Sequence, residues 1–207
     1  MGVELADLVV PGRTAIVTQE CQRGIVGDLA GLPVLAEEAQ LAAIPNVGRL
    51  LAAARPAGVK VVHCIAERRP DGQGSNANAR LFRAASGMVD ISPGSPGTEV
   101  VPELQQAEGD VVLTRLHGIG PMGGTDLDAV LRNLGVTTIV AVGVSVNVAI
   151  TNLVMDAVNR SYQVVLPRDA VAGVPREYAD AVIDNTLALL ATVTTTDALV
   201  DLWSARA

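Results

Sequence analysis

Short apolar runs rich in β-branched residues alternate along this chain with longer segments whose apolar residues recur at the helical period. That alternation is the pattern of a parallel sheet with helices on both faces. The runs are residues 15–18, 59–65, 110–113, 138–142, 163–166 and 191–194. They predict a three-layer α/β fold, Rossmann-like, with a six-stranded parallel sheet. Helices are expected over residues 34–55, ending before Pro56 and Gly58, then 126–134, stopped by Gly135, 148–160, 176–190 after Pro175, and 197–203. Thr125 and Thr196 stand where a hydroxyl can cap the second and the last of these. Segments 68–78 and 92–98 are rich in turn-forming residues and read as loops. Neither looks like a boundary, so residues 1–207 are expected to form one domain.

Composition narrows the partners. Hydrophobic residues make up 49% of the chain and aromatics only 2%, so the core is aliphatic and stacking on bases or sugars is disfavoured. A formal net charge of −7, with no run of Lys and Arg, argues against nucleic acid. No stretch reaches the roughly 18 to 20 uninterrupted apolar residues of a membrane span, and residues 1–7 lack the basic start of a signal peptide. No membrane partner and a cytoplasmic location are therefore expected. Cys21 and Cys64, the only cysteines, fall in or at the end of strands and read as small buried apolar residues rather than a disulfide or CxxC metal site.

Ligands of open parallel sheets bind beyond the carboxyl ends of the strands. Glu20 follows the first run directly, where partial desolvation is expected to raise its pKa and suit it to general acid work; a structural ion pair is the plain alternative. Residues 143–149, Gly-Val-Ser-Val-Asn-Val-Ala, join a strand to a helix through small side chains, an arrangement that aims backbone N–H groups at an anion or oxyanion. Arg115 ends the third run, and His117 is expected on the same side if the strand continues. His63 reads as a satisfied core histidine. Arg68 and Arg69 lie on a loop, solvated or gripping a carboxylate.

With these residues in view, the chain resembles the isochorismatase-like hydrolases, a family that includes nicotinamidases and N-carbamoylsarcosine amidases. The resemblance rests on residues 15–22, Ala-Ile-Val-Thr-Gln-Glu-Cys-Gln, on Val61-Val62-His63 with Arg69-Pro70-Asp71-Gly72, on Gly124-Thr125-Asp126-Leu127-Asp128, and on Gly143 to Val148. Asp156-Ala157, Tyr162 to Val165 and Asp169-Ala170 add to it. The family's triad is an Asp, a Lys and a nucleophilic Cys, and motif by motif Glu20, Arg115 and Ala149 stand in those places. A methyl group cannot attack a carbonyl, so no acyl-enzyme forms at Ala149. The resemblance further implies oxyanion donors at the Ser145 and Ala149 N–H groups, a cis peptide between Val144 and Ser145, and substrate contacts from Ser145, Val146, Asn147, His117, Arg69 and Gln22.

Family members that cleave vinyl ethers need an acid rather than a thiol, and Glu20 can supply the proton. The activity implied is hydrolysis of a small carboxylated substrate such as a vinyl ether. The alternatives are a non-catalytic binding or structural homologue and an amidohydrolase acting on a small amide, the latter with Cys64 or Cys21 as a displaced nucleophile. Residues 64–69 lack the Asp and His cluster with which nicotinamidases hold a metal, so no metal and no cofactor are expected. Family membership also implies a homo-oligomer, a dimer or tetramer.

Overall fold

The computed structural model describes residues 4–85 and 87–205. The first helix is α1, Leu5–Leu8, and strands β1, Thr14–Gln19, and β2, Lys60–Ala66, flank α2, Arg23–Val26, α3, Pro33–Glu38, and α4, Ile44–Ala54. Helix α5, Arg80–Ala85, precedes β3, Val111–Arg115, and α6, Pro121–Gly124, and α7, Leu127–Asn133, lead into β4, Thr138–Val144. After α8, Thr151–Asn159, come β5, Gln163–Pro167, β6, Val171–Ala172, α9, Arg176–Asn185, β7, Thr192–Thr194, and α10, Thr196–Ser204.

The sheet runs β3-β2-β1-β4-β5-β7, and all its pairings are parallel. The six expected strands are all present. A seventh, the two-residue β6, pairs with the end of β4. Because the chain winds outward from β1 to β3 and then returns to lay β4 against the other side of β1, the order reverses between β1 and β4. A crevice opens at such a switch point.

Alternation along the strands divides the interior into two cores. Ile16, Val61, Val140 and Val165 face one side and pack with Ile44, Val47, Leu50, Leu51 and Ala54 of α4 and with Leu199 and Trp203 of α10. Ala15, Val17, Val62, Ile139, Ala141 and Val164 face the other, against Leu127 and Leu131, Leu153 and Val154, and Ile183. The indole of Trp203 also donates to the carbonyl of Val9 at 3.1 Å.

Several local expectations change. The helix expected over 34–55 is interrupted by a wide π turn, Ala39–Ala43. Pro45, at the start of α4, lacks the N–H that a continuous helix would use and crowds the preceding turn. Another π turn, Val146–Ile150, replaces the start of the helix expected over 148–160. The helix expected over 176–190 leaves α-geometry after Asn185 and closes with a 3-10 turn, Leu187–Leu189. Thr195, not Thr196, caps α10, accepting from the Ala198 N–H, while the Thr196 hydroxyl donates inward to Asp169. Thr125 does accept from the Leu127 N–H, at 3.1 Å.

Candidate active site

Glu20 is the first residue past β1. Its N–H donates to the Cys64 carbonyl at 2.9 Å, and its φ of 56° turns the chain out of the strand. Beside it, Gly143 of β4 has φ 108°, and a Cβ there would fall 2.3 Å from the Gln19 carbonyl oxygen. Only glycine lets the two strand ends approach this closely. The crevice so formed leads to Ser145, which follows a cis peptide bond after Val144, as expected.

Arg115 ends β3, two strands away from β1 across β2. Its long side chain spans that gap, roughly twice the ~4.8 Å strand spacing, and pairs with Glu20, Nη2 to Oε1. The arginine side chain is 6% exposed and the glutamate side chain 17%. Gln19 Nε2 donates to the same Glu20 oxygen at 3.2 Å and so steadies the carboxylate from the strand side. Nη1 of Arg115 is buried without a hydrogen-bond partner.

Glu20, Arg115, Ser145 and Ala149 line one cavity of about 210 Å³. Ala149 contributes only a methyl, from the π turn after β4. His117 lines the cavity too, but β3 stops at Arg115, so the ring arrives from a loop rather than by strand alternation. Glu67, whose carboxyl burial pushes up against a hydrogen bond from Thr114, and Arg68 also contribute.

Other expected contacts lie elsewhere. Gln22 is buried and spends its carboxamide on backbone: Nε2 donates to Ala66 and Gly97 carbonyls at 2.9 and 3.0 Å, and Oε1 accepts from the Ala66 N–H at 2.7 Å. It fastens the loop carrying Gly97 to the end of β2. Val146 is fully buried in the second core. Asn147 turns toward Val174, donating to its carbonyl at 3.4 Å. Arg69 pairs with Asp71 at 2.6 Å, half-exposed and outside the cavity lining. Packing or a local partner has already engaged Gln22, Val146 and Arg69, while Asn147 keeps its Oδ1 buried without a hydrogen-bond partner.

Sequence reasoning passed over Ser75, Asn76, Leu81 and Phe82, which wall the cavity from the segment after β2. Asn76 Oδ1 accepts from the Gly118 N–H at 2.7 Å, tying that segment to the loop after β3. A Gly- and Asn-rich stretch carries no periodicity that would mark these positions; the Leu81-Phe82 pair was the available signal.

His63 is fully buried and satisfied, as expected, with Nδ1 2.9 Å from the Thr18 hydroxyl and Nε2 3.2 Å from Asp110. Burial pushes the Cys21 and Cys64 thiols up to about 12, with Glu20 adding to the effect at Cys21. Neither is a thiolate near neutral pH, which removes the geometry's support for a displaced cysteine nucleophile. Among the described residues no group of three or more His, Cys, Asp or Glu is arranged to hold a metal, and no helix is long and apolar enough to cross a membrane.

A model of the isochorismatase domain matches residues 14–198. Over 178 residues the chain is 29% identical to the ureidoacrylate amidohydrolase RutB of Agrobacterium fabrum, covering 77% of this chain and 76% of that protein. A cysteine hydrolase from Pseudomonas syringae pv. phaseolicola 1448A aligns with TM-score 0.79 and 25% identity over 97% of this chain and 96% of that one. N-carbamoylsarcosine amidase from Thermoplasma acidophilum aligns with TM-score 0.71 and 24% identity over 89% and 97% of the two chains, a likeness of fold alone. With most of its length inside the matched domain, the chain belongs to the isochorismatase family of hydrolases.

Proposed function

We propose that this chain hydrolyses a small carboxylated substrate, such as a vinyl ether, without a covalent intermediate. Glu20 is the general acid, Arg115 the electrostatic anchor, and the N–H groups of Ser145 and Ala149 hold an anionic or carbonyl oxygen of the substrate. One observation carries the reading: the Glu20–Arg115 pair stands at the switch-point crevice and lines the same cavity as the inert methyl of Ala149. An acyl-enzyme needs a nucleophile there, whereas protonation of an enol ether does not.

A substrate carboxylate that engages the unpartnered Nη1 of Arg115 sets the substrate beside the Glu20 carboxyl. The Glu20 carboxyl proton goes to the β-carbon of the enol ether, water adds to the carbon bearing oxygen and gives a proton back to Glu20, and the hemiketal collapses to a ketone and an alcohol. The collapse is itself proton-neutral, the hemiketal hydroxyl proton passing to the oxygen of the leaving alcohol. Arg115 holds the anion throughout, since a guanidinium keeps its charge at every working pH.

Incubation with isochorismate and a panel of primary amides and ureas, followed by mass spectrometry, tests the reading against the Glu20→Gln variant. Turnover of the vinyl ether is expected, with a loss of at least about 100-fold in the variant. A fully active variant sinks the assignment. A binding protein without chemistry is the second reading, favoured by the fact that Glu20 and Arg115 occupy each other; calorimetric binding of a small acid with no turnover selects it. A small amide as substrate is the third, suggested by the relatives named as amidohydrolases.

A further inference from the structure

The cavity is lined by two chemically distinct sets of side chains. Leu32, Leu81, Phe82 and Ile91 line it and belong to neither core. Leu32 and Leu81 leave 38% and 45% of their surfaces uncovered. Helix α5, which carries Leu81 and the chain's only phenylalanine, buries none of its residues. Apolar side chains concentrated at a cavity wall and unused by the core are the usual lining of a small-molecule site. Among the polar lining residues, Arg115 Nη1 and Ser75 Oγ are each buried without a hydrogen-bond partner. Oxygen atoms of a ligand would satisfy both, and Glu20 occupies only Nη2 of the arginine.

We propose that the site selects a compact carboxylate with an apolar body, its head on Arg115 and Ser75 and its body against Leu32, Leu81, Phe82 and Ile91. This rests on the functional reading above only in taking the same cavity as the substrate site, and it names the class of substrate. A volume of about 210 Å³ has room for a branched aliphatic or aryl body. A polyhydroxylated acid of equal size is rejected, because its hydroxyls would be stripped of water against leucine, isoleucine and phenylalanine.

Titration calorimetry of the full chain with acetate, butyrate, hexanoate, phenylacetate and gluconate tests this. Affinity is expected to rise about fourfold for each added methylene from butyrate to hexanoate, with phenylacetate bound and gluconate not. Phe82→Ala is expected to weaken phenylacetate about tenfold or more and acetate little; Leu81→Asn, at an exposed position, repeats the comparison should the first variant fold poorly. Equal affinity along the series, preference for gluconate, or no binding by any member overturns the proposal. Each of these is a binding result, independent of turnover, whereas the Glu20→Gln comparison reads turnover alone.

Discussion

At position 149 a methyl stands in the cavity wall, 5% exposed, at the mouth of the crevice between β1 and β4. The two thiols the chain does possess are buried and held at about 12. Native protein treated with iodoacetamide at pH 8 is therefore expected to stay unmodified over a time in which urea-unfolded protein takes two labels, read by intact mass. Ala149→Cys should take up a single label in the native state, because that position faces the cavity. Labelling of Cys21 or Cys64 in the folded wild type would contradict the burial that keeps them protonated. Glu20 owes its position to three neighbours: Cys64 receives its N–H, Gln19 holds one carboxylate oxygen, and Arg115 pairs with that same oxygen.

Among the elements, the least replaceable connection is the one Gln22 makes between the end of β2 and the loop carrying Gly97. Gln22→Leu leaves two carbonyls and one N–H without their partner and is expected to cost about 3 kcal/mol, read as a lower urea midpoint; an unchanged midpoint would show that water replaces the carboxamide. The strands were legible in the sequence because runs such as residues 138–142 and 163–166 carry both β-branched composition and clean boundaries. The break in the helix expected over 34–55 was written at Pro45, whose lost donor outweighs the good helix formers around it. At the site, Glu20, Arg115 and Ser145 were legible because strand ends converge in any doubly wound sheet, whereas Ala149 was reached only through the family resemblance. Gln22 was not: nothing in its sequence neighbourhood says that its partners, Ala66 and Gly97, lie 44 and 75 residues away. The same holds for α5, whose short apolar pair sits in a stretch without periodicity.

On the scale of the whole molecule, a polar chain runs through the sheet from Thr18 to His63, Asp110 and the guanidinium of Arg55, the last at 2.7 Å from Asp110. Burial holds the His63 imidazole below its ordinary 6.5, against the opposing pull of Asp110. The unfolded chain then binds more protons than the folded one as pH falls past 6.5, so stability is full above that value and declines below it. Asp110 is buried, which opposes ionisation, yet hydrogen bonds from Arg55, the Ala107 N–H and His63 hold its carboxyl below 3.8, adding a second decline in stronger acid. Urea midpoints measured from pH 8 to 5 should fall, and His63→Gln should flatten that first decline; an unchanged slope would place the loss at other groups. None of these residues lines the cavity, and Glu20, Arg115, Ser145 and Ala149 belong to neither apolar core. The scaffold and its chemistry are thus separable layers, so that a lineage can exchange one set of reacting groups for another without renegotiating how the chain folds, and a designer can install a new set on the same frame.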